Sequence, residues 1–373
     1  MIPYSRQLIE QCDIDAVVEA LKGDFLTGGK TVSDFEEALA SYLGVKHVCV
    51  MNSATSCLHV AYQIIELKSG DEIITTPLTF AATSNTAIQC GATPLFCDIK
   101  YDGNIDERKL EALITPRTKA IVPVDFGGNP LPIHQIKEVC EKHQLYLIED
   151  ASHALGSELD GVKVGHVADM TIFSFHAIKP ITTFEGGAIA TNNTAFYEQA
   201  KLLRSHGIVK KELWNSDMLI LGENYRLSDI ACALGLSQLK RLDSFIDKRN
   251  EIAHYYDKRF SNNPFFTTIA IDQNKRSTYH LYPILLDRSL WCSKEDIFKA
   301  LHAKGLGVQV HYKPVYQFSY YKKLFGEQSL ETAEDFYRAE LSIPCHQGMS
   351  MDDAKMVADT LLEVLTSIKG CRL

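Results

Sequence analysis

SFHAIKPITTFEGGAIAT, residues 174–191, sets one lysine, Lys179, on a turn between two apolar runs of strand character, 170–175 and 187–191. Pro180 biases the residue before it toward extended backbone, so Lys179 does not sit mid-helix. Gly186-Gly187 lets the chain turn back closely. The two runs are too near each other for a crossover helix, which predicts that one of them is antiparallel or displaced. Lysine is mostly a solvated residue. Lys179 therefore gains meaning only from what the rest of the chain places beside it.

Working outward from this pair, apolar runs of strand length recur at 47–51, 72–75, 93–98, 120–124 and 145–149. Together with 170–175 and 187–191 they make a seven-stranded sheet. Helical periodicity fills most of the gaps, at 55–67, 80–90, 107–114 and 133–143. This alternation is the signature of an α/β fold with a mainly parallel sheet covered by helices on both faces. Two helices, 13–22 and 32–43, precede the sheet. GDFLTGGKT (23–31) between them approaches a phosphate-binding loop but has Asp24 where the first glycine would stand, and it follows a helix instead of a strand. A long helical stretch, 228–259, runs into the turn-rich SNNP (261–264). Strands at 279–286 and 307–312 and helices at 293–304, 332–340 and 351–368 follow, an α+β pattern. We expect a large domain with an N-terminal arm, 1–245, and a smaller C-terminal domain, 246–373.

Composition narrows the function. Of 373 residues, 46% are hydrophobic and 23% charged, the range of a folded globular chain. A net charge of −9 without a basic run disfavours a nucleic-acid binder. The ten cysteines are scattered, with no Cys-x-x-Cys pair and no zinc spacing, and read as reduced, mostly buried thiols. No signal segment opens the chain and no run of about 18 apolar residues crosses a membrane. The expectation is a cytoplasmic protein that binds no metal.

Sheets of this class bind ligands at the carboxyl ends of their strands. After 47–51 comes NSATSCL (52–58), where Ser53 suits a helix cap and the N–H groups near Ala54 and Thr55 suit an anion. After 72–75, Phe80 is delivered to the same rim, either to stack on a flat ligand or to pack in the core. After 145–149, Asp150 ends a strand, with His153 three residues on. A phosphate seat, an aromatic plate, a strand-end carboxylate and a lysine are the parts that hold pyridoxal 5′-phosphate (PLP). The carboxylate keeps the pyridine nitrogen protonated and the lysine bonds the cofactor covalently.

The chain also resembles a known family. NSATS (52–56), TTPLTFAAT (75–83), DASHALGS (150–157), SFHAIKPITTFEGGA (174–188), NYRLSDIACALGLSQLK (224–240) and VQVHYKPVYQ (308–317) are similar to segments of the DegT/DnrJ/EryC1/StrS nucleotide-sugar aminotransferases. The resemblance runs end to end. It implies the aspartate aminotransferase-like architecture, PLP fold type I. It also implies Lys179 and Asp150 as catalytic residues, with Ala54, Thr55, Phe80, His153 and Ser174 around the cofactor and Asn224 supplied by the other subunit of a homodimer with shared active sites. Many members carry Gly-Glu-Gly-Gly where this chain has Phe184-Glu185-Gly186-Gly187, which puts the packing of that loop in question.

The activity so implied is transfer of the amino group of L-glutamate to C4 of a UDP-4-keto-6-deoxy-N-acetylhexosamine. Another nucleotide-linked 4-keto sugar is the alternative. Donors for the diphosphate and shape for the uracil are sought among Thr27, Gly28, Lys30, His311, Tyr312 and Lys313. A related sugar-dehydratase branch resembles this family with histidine in place of the lysine, whereas Lys179 is present here. A PLP-binding sensor without activity is the remaining rival.

Overall fold

The computed structural model describes residues 1–368. At its centre is a sheet of seven strands: β1 (His47–Met51), β2 (Glu72–Thr75), β3 (Thr93–Phe96), β4 (Thr118–Val122), β5 (Tyr146–Asp150), β6 (Met170–Ser174) and β7 (Gly187–Thr191). They lie in the order β1-β7-β6-β5-β4-β2-β3. β7 runs antiparallel to both neighbours, Gly187 facing Met51 on one side and Ser174 on the other. Every other pair is parallel. The short link after β6 had required this reversal. Its consequence is that β1 through β6 all end at one edge of the sheet, and β7 begins there.

Alternation along the strands assigns each face its helices. Val48 and Val50 of β1 pack with Phe173, Ala188 and Ala190 under α2 (Lys30–Leu43), which follows α1 (Gln11–Lys22) in the chain and contributes Phe35, Leu39 and Leu43. Cys49 and Met51 face the other way, with Ile148, Ile172 and Ile189, under Leu58, Val60 and Ala61 of α3 (Ala54–Ile64). At the far side, Ile121 and Leu147 pack with Ile136 and Cys140 of the helix Ile133–His143.

Three sequence expectations need correction. The stretch 107–114 is not an α-helix but two 3₁₀ turns, Glu107–Lys109 and Glu111–Leu113. Of its residues only Leu110 is buried, too little apolar face to sustain a helix. The stretch 228–259 breaks into two helices, Asp229–Leu239 and Leu242–Phe260. At the break Arg241 leaves helical geometry (φ −114°, ψ 1°) and its guanidinium pairs with Glu10 and Asp13 at the start of the helix Gln11–Lys22. Finally, 307–312 is not one strand. Leu306–Gly307 pairs in parallel with Ile2–Pro3, and Gln309 makes an isolated bridge to Ser342.

The helix Leu242–Phe260 serves two cores. Leu242, Phe245 and Ile246 belong with the large sheet. Ile252, Ala253, Tyr256 and Phe260 belong to a C-terminal core built on an antiparallel sheet of Phe266–Thr268, Tyr282–Leu286 and Glu340–Ile343. Between the two, the fully buried Arg249 donates to the carbonyls of Tyr279 (3.0 Å) and Cys345 (2.8 Å) and to Gln347 Oε1 (2.9 Å). It pins the C-terminal loops to the shared helix.

Eight cysteines are free thiols, six of them buried. Cys371 lies outside the described residues. Among the described residues no helix is long and apolar enough to cross a membrane, and no group of His, Cys, Asp and Glu is arranged to hold a metal.

Candidate active site

The edge at which β1 through β6 end opens into a cavity of about 660 Å³. Nine of the residues singled out from the sequence line it: Ala54, Thr55, Phe80, Asp150, His153, Ser174, Lys179, His311 and Tyr312. They come from strand ends, a helix start and the C-terminal region, far apart in the chain.

α3 begins at the cavity wall. Ser53 caps it, accepting from the Ser56 N–H at 3.1 Å, and Ser56 donates its hydroxyl to Asn52 Oδ1 at 2.6 Å. Ala54 and Thr55 are its first two residues, so their N–H groups have no carbonyl of the helix to bond. Gly187, the first residue of β7, presses against this start. A Cβ on Gly187 would come within 2.5 Å of the Ala54 nitrogen. Glycine is what lets the strand run beneath the helix terminus and leave that terminus facing the cavity.

Asp150 closes β5 and is 4% exposed. Thr83 donates to its Oδ2 at 2.8 Å, and the Ser152 hydroxyl (2.6 Å) and N–H (3.2 Å) donate to its Oδ1. Three donors fix the plane of the carboxylate. Lys179 stands across the cavity on the link between β6 and β7, its own N–H bonded to the His176 carbonyl at 3.0 Å. Burial pulls its amine from the ordinary lysine range down to about 7, against the opposing negative charge of Asp150. An amine so placed is in part a free base, hence a nucleophile, at neutral pH.

His153 accepts from the Gly127 N–H at Nδ1 (3.3 Å), which leaves its ring proton on Nε2, 3.3 Å from the Tyr312 hydroxyl. Burial, then the nearby Lys179 charge, hold this imidazole neutral. Its ring lies 4.4 Å from that of His280. Ser174 ends β6 and accepts from the His176 N–H at 3.4 Å. Phe80 is 67% exposed. A ring so open is not packed in the core, which removes the bland alternative for it.

The other candidates are elsewhere. The Thr27–Lys30 loop runs outside the cavity, held by the Asp229 carboxylate, which accepts from the Gly29 (2.8 Å) and Thr31 (3.1 Å) N–H groups. Lys30 is solvated beside Asp34. Lys313 points its amine over the Phe318 ring at 5.8 Å, and Asn224 bridges Ser205. Conversely, the cavity is lined by residues the sequence had not offered, among them Tyr4, Thr83, Ser152 and His280. Ser152, two residues after an aspartate, carried a local turn signal. Tyr4 and His280 carried none.

Residues 7–362 match the DegT/DnrJ/EryC1/StrS aminotransferase family. The chain belongs to that family. It is 58% identical over 372 residues to the UDP-4-amino-4,6-dideoxy-N-acetyl-beta-L-altrosamine transaminase of Campylobacter jejuni subsp. jejuni serotype O:23/36, covering 99% of each chain. Among solved structures it is similar to Helicobacter pylori PseC, an aminotransferase involved in the biosynthesis of pseudoaminic acid (TM-score 0.97, 46% identity, 98% of this chain and 100% of that one). It is also similar to the PLP form of the putative sugar aminotransferase Spr1654 from Streptococcus pneumoniae (TM-score 0.93, 29% identity, 98% of each chain). Aminotransferases of this family are PLP-dependent. The residues of the cavity fit that cofactor. The open α3 terminus suits its phosphate, the anchored Asp150 its pyridine nitrogen, the exposed Phe80 ring its face and the Lys179 amine its aldehyde.

Proposed function

We propose that this protein transfers the amino group of L-glutamate to C4 of UDP-2-acetamido-2,6-dideoxy-beta-L-arabino-hex-4-ulose, giving UDP-4-amino-4,6-dideoxy-N-acetyl-beta-L-altrosamine for pseudaminic acid synthesis. The observation that carries this reading is a lysine amine with its pKa at about 7, facing an anchored carboxylate, in a chain 58% identical to a transaminase of that product.

Bound PLP supplies an electron sink for the substrate carbon. Asp150, oriented by Thr83 and Ser152, would hold a proton on the cofactor nitrogen. The α3 terminus would hold the phosphate end and Phe80 would offer its ring to the cofactor face. Lys179 would take the proton from the α-carbon of glutamate and pass it to the cofactor in the first half-reaction, and in the second would take a proton back from the cofactor and deliver it to C4 of the sugar. One site thus serves both substrates in turn.

On this reading the chain works in the cytoplasm as a homodimer. The hairpin Ile208–Lys210 and Ser216–Met218 supports the second copy, since it exposes Leu213 (92%) and Trp214 (83%). Asn224 is then contributed to the partner's site, and Thr27, Gly28, Lys30 and Lys313 remain candidates for UDP contact. The division into 1–245 and 246–373 places the boundary in the helix that the two cores share. Light scattering on the purified protein tests the dimer. The activity is tested by incubation with L-glutamate and a panel of UDP-4-keto sugars, with the amino sugar identified by NMR. The expected product forms from the beta-L-arabino substrate. Amination only of a different keto sugar would reassign the substrate, and cofactor binding without any amination would favour the sensor.

A further inference from the structure

His311 lines the cavity, yet its hydrogen bonds run inward. Its N–H donates to Glu340 Oε2 at 2.7 Å, and its ring Nδ1 lies 2.8 Å from Ser342 Oγ. Ser342 in turn donates to Glu340 Oε1 at 2.6 Å. Glu340 and Ser342 lie two apart on the strand Glu340–Ile343, on one face of it, and both are fully buried. A hydroxyl has one proton to give. With that proton directed at the ionised Glu340, Ser342 is an acceptor toward His311, so Nδ1 carries the ring proton and Nε2 keeps a lone pair. Among the described residues none hydrogen-bonds His311 Nε2, and His311 lines the cavity.

Two electrostatic features bear on this arrangement, the first of them confining it to pH above about 7. Burial pushes the Glu340 carboxyl up to about 7, while the Lys294 charge behind it favours the ionised form. Burial, with the Lys179 charge added, holds the His311 imidazole neutral, its pKa down to about 3.

We infer that Glu340 and Ser342 are positioning residues that set the tautomer of His311, so that Nε2 accepts a hydrogen bond from a donor on the incoming keto-sugar. This reverses the role sought for His311 in the sequence. A lone pair repels a diphosphate or a keto oxygen, both of which are acceptors. Near its reacting carbon a UDP-4-keto-6-deoxy-N-acetylhexosamine has two donors, the C3 hydroxyl and the acetamido N–H. Glutamate offers only carboxylates once its amine is engaged. His311 therefore favours the sugar half of the reaction over the glutamate half.

The inference rests on the proposed activity, and its test separates the two. In ¹⁵N-histidine-labelled protein, at a pH well above that at which Glu340 takes a proton, His311 should show a protonated Nδ1 and a bare Nε2. Its signals are assigned by loss in His311→Gln. Ser342→Ala should abolish that preference. Glu340→Gln, whose amide can donate to Ser342, should move the proton to Nε2. In the holoenzyme either variant should keep the glutamate half-reaction within about twofold of wild type and lower kcat/KM for the keto-sugar about tenfold, the effect of one hydrogen bond. That loss should vanish with either the 3-deoxy or the 2-deoxy analogue, whichever lacks the paired donor. A wild-type His311 protonated on Nε2, equal losses in both half-reactions, or a loss that persists with both analogues would overturn the inference. Failure of the wild type to aminate any keto-sugar would sink the proposed function instead, and the tautomer measurement would still decide the positioning role.

Discussion

Thr83 donates its hydroxyl to Asp150 Oδ2 at 2.8 Å, joining residues 67 positions apart at the rim of the sheet. The same hydroxyl lies 2.9 Å from that of Thr79 and both are buried, so the carboxylate is aimed by a short buried chain and not by solvent. Thr83→Val keeps the shape and removes the donor. We expect cofactor affinity to fall about tenfold, the scale of one hydrogen bond to a charged group, read by titrating the cofactor-free protein with PLP.

The pH behaviour of Lys179 follows from its two neighbours in the balance. Burial disfavours the charged amine, and the Asp150 charge favours it. Replacing Asp150 by Asn removes the favourable part, so the amine should lose its proton at lower pH than in the wild type, where the midpoint is about 7. Mass spectrometry of residue 179 after brief acylation of cofactor-free protein across a pH series gives both midpoints. A shift to higher pH would contradict the proximity of the two charges.

Phe80 separates stability from binding. Because the ring is 67% exposed, Phe80→Ala should change Tm by no more than about 2 °C. Loss of the stacking face should still weaken PLP binding, by about tenfold. Large destabilisation with unchanged affinity would return Phe80 to the role of a packing residue.

Gly187→Ala tests the approach of β7 to the helix start. The added methyl meets the Ala54 backbone, which cannot yield as a flexible side chain would. A stability loss of about 1–3 kcal/mol is expected, together with weaker binding of inorganic phosphate to the cofactor-free protein. Calorimetry supplies both values.

Phe184 tells the reverse story. It adopts φ +67° and leaves its ring 55% exposed. Left-handed backbone favours glycine. The bulky residue thus strains its own backbone in the link that carries Lys179. Phe184→Gly should stabilise the fold by about 1 kcal/mol, seen as a raised midpoint in urea.

The sheet was legible because strand and helix periods alternate cleanly from residue 47 onward, and because a short link between two apolar runs demands an antiparallel partner. Asp150, at a strand end, could be placed at the rim on that ground alone, whereas Ser174 came only from the family resemblance. The break at Lys240-Arg241 was not legible. It depends on Arg241 reaching Glu10 and Asp13, a contact across more than 220 residues with no local trace. Leu110 illustrates the opposite error, in which a helical spacing of apolar residues was read without knowing that only one of them would be buried. His311 was found, but its role turned on Ser342 and Glu340, whose meaning appears only once their strand is laid beside it.

The pairing of Ile2–Pro3 with Leu306–Gly307 has a bearing on how the molecule is made. The same arm carries Tyr4, whose ring lies 5.2 Å from His311 and whose carbonyl accepts from Cys345, and Ser5, which bonds the Ile178 carbonyl beside Lys179. At a synthesis rate of about 5–20 residues per second, residues 2–3 wait on the order of 15–60 s for residues 306–307 to emerge. The reactive lysine can be seated early, but the wall that encloses it is completed last. Bulky N-terminal fusions should therefore slow the appearance of activity during synthesis far more than they slow folding of the sheet.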